Sequence, residues 1–162
     1  MENKLKKTTK YLPLVISIII AQGSGLIGSI FTASSVNTWF ETISKPTWNP
    51  PSWIFGPVWT ILYLLMGIAA YIIWQKKDIV GTKMALLVYG IHLVFNSMWS
   101  ILFFGLKNPQ LAFFEIIFLL ILIIITTMLF WKIDRRAGAL MFPYIAWVSF
   151  ATVLNYTIWR LN

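Results

Sequence analysis

The stretch Lys45-Pro46-Thr47-Trp48-Asn49-Pro50-Pro51-Ser52-Trp53-Ile54-Phe55-Gly56-Pro57-Val58-Trp59 decides how this chain is read. It holds four prolines and three tryptophans, where one apolar run ends and the next begins. Proline removes a backbone donor and pushes the residue before it toward extended geometry. The stretch is therefore expected to be neither a helix nor a floppy loop. Tryptophan adds a large rigid face with one N–H donor. Two readings fit: an interfacial aromatic belt, which enriches Trp at membrane edges, and a stiff lid over a cavity at the mouth of a bundle. The density of proline beside tryptophan favours the lid.

Around this connector the chain is greasy. Of its 162 residues 59% are hydrophobic and 11% charged, against about 25% charged in soluble domains, and the mean hydropathy is +0.77. Such a chain belongs in a membrane. Five runs reach the roughly 20 residues a helix needs to cross the hydrocarbon: Leu12–Ala33, Phe55–Trp74, Met84–Leu106, Leu111–Trp131 and Ala139–Trp159. Three of the four separators are short, so consecutive helices should be antiparallel neighbours. The expected fold is all-α, a single five-helix transmembrane domain over residues 1–162. The first run has a basic start and the small residues Ala33 and Ser35, yet its apolar core exceeds the about 7–15 residues of a cleaved leader. It is expected to stay as a span, with its stripe Ala21, Gly25, Ser29 and Ala33 packing within the chain or in a dimer.

The net charge of +8 sits in short clusters between apolar runs, a pattern that orients a membrane protein rather than one that binds nucleic acid. With the N-terminus inside, Lys4, Lys6, Lys7, Lys10, Lys76, Lys77, Lys83, Lys132, Arg135 and Arg136 lie inside, and Lys45, Lys107 and Arg160 outside. Basic residues concentrate on the cytoplasmic side, so the expected orientation is N-in, C-out with the Pro/Trp connector outside. The absence of a recognisable presequence and the basic clusters point to a bacterial plasma membrane.

Polar groups within spans are candidates for function. His92, the one histidine, shares a face of the third span with Asn96 and Trp99, because residues three and four apart align on a helix. That face must look inward, to hydrogen bonds between helices or to a ligand; for His92 alone, interhelical bonding is favoured. The second span repeats Phe55, Trp59, Tyr63 and Gly67, and the fifth Pro143, Trp147, Ala151 and Asn155. Such faces offer aromatic planes, a few polar groups and space for a flat apolar ligand, although aromatic stripes more often serve plain packing. Trp48 is the connector's candidate contact. Glu115 lies near the start of the fourth span and is expected to be solvated there. With no Cys, one His and carboxylates Glu2, Glu41, Asp78 and Asp134 all outside the spans, neither a metal site nor an acid–base pair is expected.

Three blocks carry a resemblance. KPTWNPPSWIFGPVWTILYLLMG from Lys45, NSMWSILFFG from Asn96 and PYIAWVSFATVLNYTIWRLN from Pro143 resemble, in this order, the motifs of the tryptophan-rich sensory protein family. Its eukaryotic members are called translocator protein or peripheral benzodiazepine receptor, and the likeness runs from about Gly28 to Asn162. It implies a five-helix bundle, commonly a homodimer, whose cavity is closed by the first connector. The implied ligands are porphyrins such as protoporphyrin IX and haem, held as ligands rather than obligatory cofactors, together with isoquinoline carboxamides and benzodiazepines. Animal members also bind cholesterol. Carried over by position, Trp59 and Trp147 would form the pair linked in some bacterial relatives to light-dependent porphyrin breakdown, with Tyr63, Asn96, Trp99 and Ala151 lining the same pocket. Many relatives have Gln where this chain has His92. Leu154, Tyr156 and Arg160 fit a loose sterol pattern. The expected function is a membrane receptor or sensor for porphyrin-like ligands; the alternative is a transporter of porphyrins or sterols, although inverted repeats and broken helices are missing.

Overall fold

A computed structural model describes residues 2–162, with side chains from residue 11 onward. Among the described residues the chain is all-helical, running through α1 (Glu2–Ser35), α2 (Trp39–Thr42), α3 (Ser52–Trp74), α4 (Thr82–Ser100), a π-helical turn (Ile101–Gly105), α5 (Pro109–Ile133), α6 (Arg135–Leu140) and α7 (Phe142–Leu161). Five segments are long and apolar enough to cross a membrane: Tyr11–Ser35, Ser52–Trp74, Thr82–Gly105, Pro109–Ile133 and Arg135–Leu161. The five expected spans are all present. The side chains of Lys4, Lys6, Lys7 and Lys10, which carry part of the orientation argument, lie outside the described residues.

Local chemistry sets the boundaries. Pro50 and Pro51 hold the chain extended, and α3 starts at Ser52, three residues before the start read from sequence. Pro57 therefore lies inside α3. It removes one helical donor, a loss that neighbouring helices make tolerable in a membrane span. At the other end of the third span the Leu106 N–H reaches back to Ile101 O at 2.8 Å, the wider step of a π turn. Lys107 then turns the chain with φ 53. Asn108 caps α5, its Oδ1 accepting the Leu111 N–H at 2.9 Å, with Pro109 in the first turn where no donor is missed. Asp134 does the same for α6 through the Arg136 N–H at 2.8 Å, and also pairs with Lys76 at 2.8 Å. That ion pair ties the α3–α4 turn to the α5–α6 turn.

Packing follows the small residues. α1 lies along α3 and α4, α4 along α5, and α5 along α7. At the α1–α3 crossing a Cβ on Gly67 would stand 2.7 Å from Ile18 Cα, so only glycine lets the two backbones meet. The larger core gathers Met66 and Ile73 of α3, Tyr89 and Leu93 of α4, Leu119 and Phe130 of α5 and Tyr144 and Val148 of α7. A second cluster holds Phe40 of the connector against Phe103, Phe104, Leu154 and Ile158. The outward faces are bare apolar surface, with Ile30 68% and Val94 66% exposed, as expected where lipid takes the place of water.

One expectation is corrected. Glu115 is not solvated: it is 7% exposed, and neither carboxyl oxygen has a hydrogen-bond partner among the described residues. Helical phase decides this. Position 115 shares the inward face with Ala112, Ile116 and Leu119, all buried, so closeness to the helix end does not bring it into water.

Candidate functional site

A cavity of about 300 Å³ opens between α1, α3, α4 and α7 beneath the connector. Each wall is a helical stripe seen end-on. From α3 come Phe55, Trp59 and Tyr63, and from α7 Trp147, Ala151 and Asn155, each series at four-residue spacing. α4 contributes Asn96 and Trp99, the π turn Phe103 and Phe104, and the connector Phe40. α1 closes the remaining side with Gln22, Gly25, Ser29 and Thr32. Among the described residues no acid, lysine, arginine or histidine lies on this wall.

The aromatic rings hold one another in place. Trp59 stacks on Tyr63 at 5.5 Å and 28° and meets the edge of Tyr144 at 6.1 Å. Phe55 and Trp147 meet at 5.9 Å and 68°, so α3 and α7 face each other through side chains. Trp99 stacks on Phe103 at 5.1 Å. Polar groups then fix the helices: the Tyr63 hydroxyl donates to Asn96 Oδ1, and Asn96 Nδ2 donates to the Tyr144 hydroxyl at 2.6 Å. One α4 side chain thus binds α3 and α7 together. The Trp99 indole donates to Asn155 Oδ1 at 3.0 Å, and Asn155 Nδ2 donates to Pro109 O at 2.7 Å. By contrast, the Trp147 indole N–H has no partner among the described residues. A buried, unpaired donor on a cavity wall is costly unless something accepts from it.

Of the residues singled out in the sequence, Phe55, Trp59, Tyr63, Asn96, Trp99, Trp147 and Ala151 come together on this wall. His92 does not: it is fully buried behind the wall, 5.0 Å from the Tyr89 ring and 5.7 Å from that of Tyr144, and the interhelical hydrogen bond expected of it is not made, since neither ring nitrogen has a partner among the described residues. Trp48 is 46% exposed and packs on Phe150 at 5.9 Å, away from the cavity. Of the sterol pattern, Leu154 faces the cavity while Tyr156 is 45% exposed and leans on Phe113 of α5 at 5.2 Å, and Arg160 is exposed. Lys45 is engaged, its ammonium donating to the carbonyls of Phe40, Glu41 and Ile43 and lying 4.9 Å over the Phe40 ring. The wall residues that sequence reading missed include Phe40, Ser100, Phe103, Phe104, Ile158 and the α1 set. Asn155 carried a signal, since it continues the Trp147–Ala151 spacing. Among the described residues no cluster of His, Cys, Asp and Glu could hold a metal ion.

The profile of the TspO/MBR family matches residues 16–160. The tryptophan-rich protein TspO of Archaeoglobus fulgidus is 42% identical over 151 residues, covering 93% of this chain and 97% of that protein. The tryptophan-rich sensory protein of Cereibacter sphaeroides is 38% identical over 124 residues, with 76% and 77% covered. The human translocator protein is 34% identical over 140 residues, with 84% and 82% covered.

Proposed function

This chain belongs to the TspO/MBR family and is an integral, multi-pass membrane protein, and from that premise we propose that it binds porphyrins and other flat apolar molecules in the cavity between α1, α3, α4 and α7. The observation that carries the reading is the pairing of aromatic walls with the unpartnered indole N–H of Trp147. A macrocycle stacks on Trp59, Trp147 and Trp99, and the Trp147 N–H, buried and unpaired among the described residues, reaches a carbonyl or ring nitrogen of the ligand once the indole turns toward it. With no charged side chain on the wall among the described residues, the carboxylates of protoporphyrin IX or haem stay at the mouth, where Leu26, Ser29, Ser52 and Thr60 are exposed. A porphyrin exceeds the cavity volume of about 300 Å³, so its edge projects there. In this reading the connector is a lid, the protein sits N-in and C-out in a plasma membrane as a homodimer, and binding serves sensing.

A second reading adds light-dependent porphyrin breakdown. The specific support is that Trp59 and Trp147 line the same cavity and Trp59 stacks on Tyr63, which sets two oxidisable rings against the ligand. Transport across the membrane draws no comparable support from the geometry.

The test is titration of the purified protein with protoporphyrin IX in the dark, followed by illumination. Saturable tryptophan quenching is expected, weakened about tenfold in Trp147→Phe, which loses the donor and part of an anchoring face. Quenching without saturation, or affinity unchanged in that variant, would reject the site. New absorption bands under light, absent when Trp59 and Trp147 are both Phe, would establish the second reading.

A further inference from the structure

The end of α7 reaches back to the connector. Asn162 Oδ1 accepts the Ser44 N–H at 2.9 Å, and Asn162 Nδ2 donates to Ser44 O at 3.0 Å and to Ile158 O at 2.8 Å. One side-chain amide therefore pairs both backbone groups of a residue 118 positions away. Among the described residues this is the one hydrogen-bonded link from residues 36–51 to α4, α5 or α7. Beside it, the Lys45 ammonium gathers the carbonyls of Phe40, Glu41 and Ile43 and covers the Phe40 ring. Lys45 follows Ser44 directly, so α2 and Phe40 move as one piece with the clasped residue. Phe40 stands on the cavity wall and packs on Phe104 at 5.6 Å and Phe103 at 6.1 Å. Ile158, whose carbonyl anchors the amide, stands on the same wall.

We propose that Asn162 is the latch of the cavity roof: by holding Ser44 it keeps Phe40 over the cavity, and release of this clasp is the step through which a flat apolar ligand enters and leaves. The proposal rests on the connector acting as a lid over a binding cavity. The clasp is made by exposed groups, so water replaces its hydrogen bonds when it opens, and each is worth little net. Opening of this kind needs no wider unfolding. Asn162 does not line the cavity, and in this proposal the clasp closes again behind a ligand that has entered, so it sets rates of entry and exit and leaves the equilibrium between them nearly unchanged. Asn162 is a positioning residue.

The chain has no Cys, which permits a clean test. Ser100→Cys puts a thiol on the cavity wall, and Ala85→Cys puts one in the fully buried core away from the cavity. Each is reacted with a water-soluble maleimide in bilayer discs, with Asn162 intact and as Asn162→Ala. Labelling at position 100 should rise about tenfold without the clasp, as expected for the loss of two solvent-exposed hydrogen bonds, while position 85 stays unlabelled. Asn162→Asp keeps the acceptor for the Ser44 N–H and loses the donor, so an intermediate rate is expected; it also carries the test if the alanine variant fails to fold. In stopped-flow quenching with protoporphyrin IX, association and dissociation should quicken together, with the dissociation constant held within about twofold. Unchanged labelling at position 100 overturns the latch, as does labelling at position 85, which would mean general loosening. A wild-type protein that does not bind protoporphyrin IX overturns the binding reading instead, and the labelling still decides the latch.

Discussion

The Trp99 indole nitrogen donates to Asn155 Oδ1 at 3.0 Å, joining α4 to α7 at the cavity wall. The same asparagine gives its other group to Pro109 O in the first turn of α5, at 2.7 Å. Asn155→Leu fills similar space and strands both partners. A hydrogen bond between membrane helices averages about 0.6 kcal/mol, whereas a buried group left unpaired costs about 1–3 kcal/mol. The second term dominates, and unfolding in a denaturing detergent series should show a loss of about 2 kcal/mol. Trp99→Phe keeps the stacking on Phe103 and should cost less than Asn155→Leu. The reverse order would mean that the tryptophan holds by packing alone.

Ala151 sets the depth of the cavity. It stands between Trp147 and Asn155 on α7 and is partly exposed to the cavity, so a larger apolar side chain has somewhere to go. Ala151→Leu should therefore leave unfolding within about 1 kcal/mol of wild type, a cost typical of a mild repacking. Binding of protoporphyrin IX should fall at least about tenfold, because the added carbons occupy the plane of the ligand. A variant that loses stability without losing affinity would place the ligand elsewhere.

Glu115 offers the opposite case, a polar group in an apolar face. Both carboxyl oxygens are buried without a partner among the described residues, and burying an unpaired polar group costs roughly 1–3 kcal/mol by the yardstick of protein variants. Glu115→Leu should accordingly raise stability by about 1 kcal/mol or more, measured in the same detergent series. A loss instead would show that the carboxyl has a partner, such as an internal water, that the leucine cannot replace.

The spans and two of the aromatic walls were legible because they rest on periodicity. Phe55, Trp59 and Tyr63 recur every four residues, as do Trp147, Ala151 and Asn155, and an α-helix turns such spacing into one face. What escaped depends on breaks in that spacing or on partners far along the chain. The π turn over Ile101–Gly105 adds a residue to the turn and so buries Phe103 and Phe104 side by side; an α-helical count from Trp99 predicts only one of them inside. Phe40 reaches the wall because α2 forms within the connector, and the proline-rich sequence after it gives no sign of that. His92 falls on the face of Asn96 and Trp99 as expected, but the wall is set by depth as well as direction: the Tyr144 ring packs on His92 while its hydroxyl accepts from Asn96.

Asp134 carries a pH dependence whose sign follows from its surroundings. The Lys76 ammonium, bonded to it at 2.8 Å, holds its carboxyl below the usual carboxylate range, with the Arg136 N–H adding to the effect. A carboxyl depressed on folding contributes stability above its unfolded value of about 3.9, and that contribution is lost as pH falls through the lower folded value. The difference in thermal midpoint between wild type and Lys76→Met should be constant from neutral pH to about 5 and shrink below about 4. The stability behind that difference should be small, under about 1 kcal/mol, because the pair is partly open to water. Asp134→Asn should lose only this charge term, since Asn serves equally well as the cap of α6. Asp134→Ala should lose the cap too, about 1 kcal/mol more. Equal losses in the two variants would assign the whole effect to the ion pair, and a midpoint difference that grows toward low pH would reverse the sign argued from the Lys76 contact.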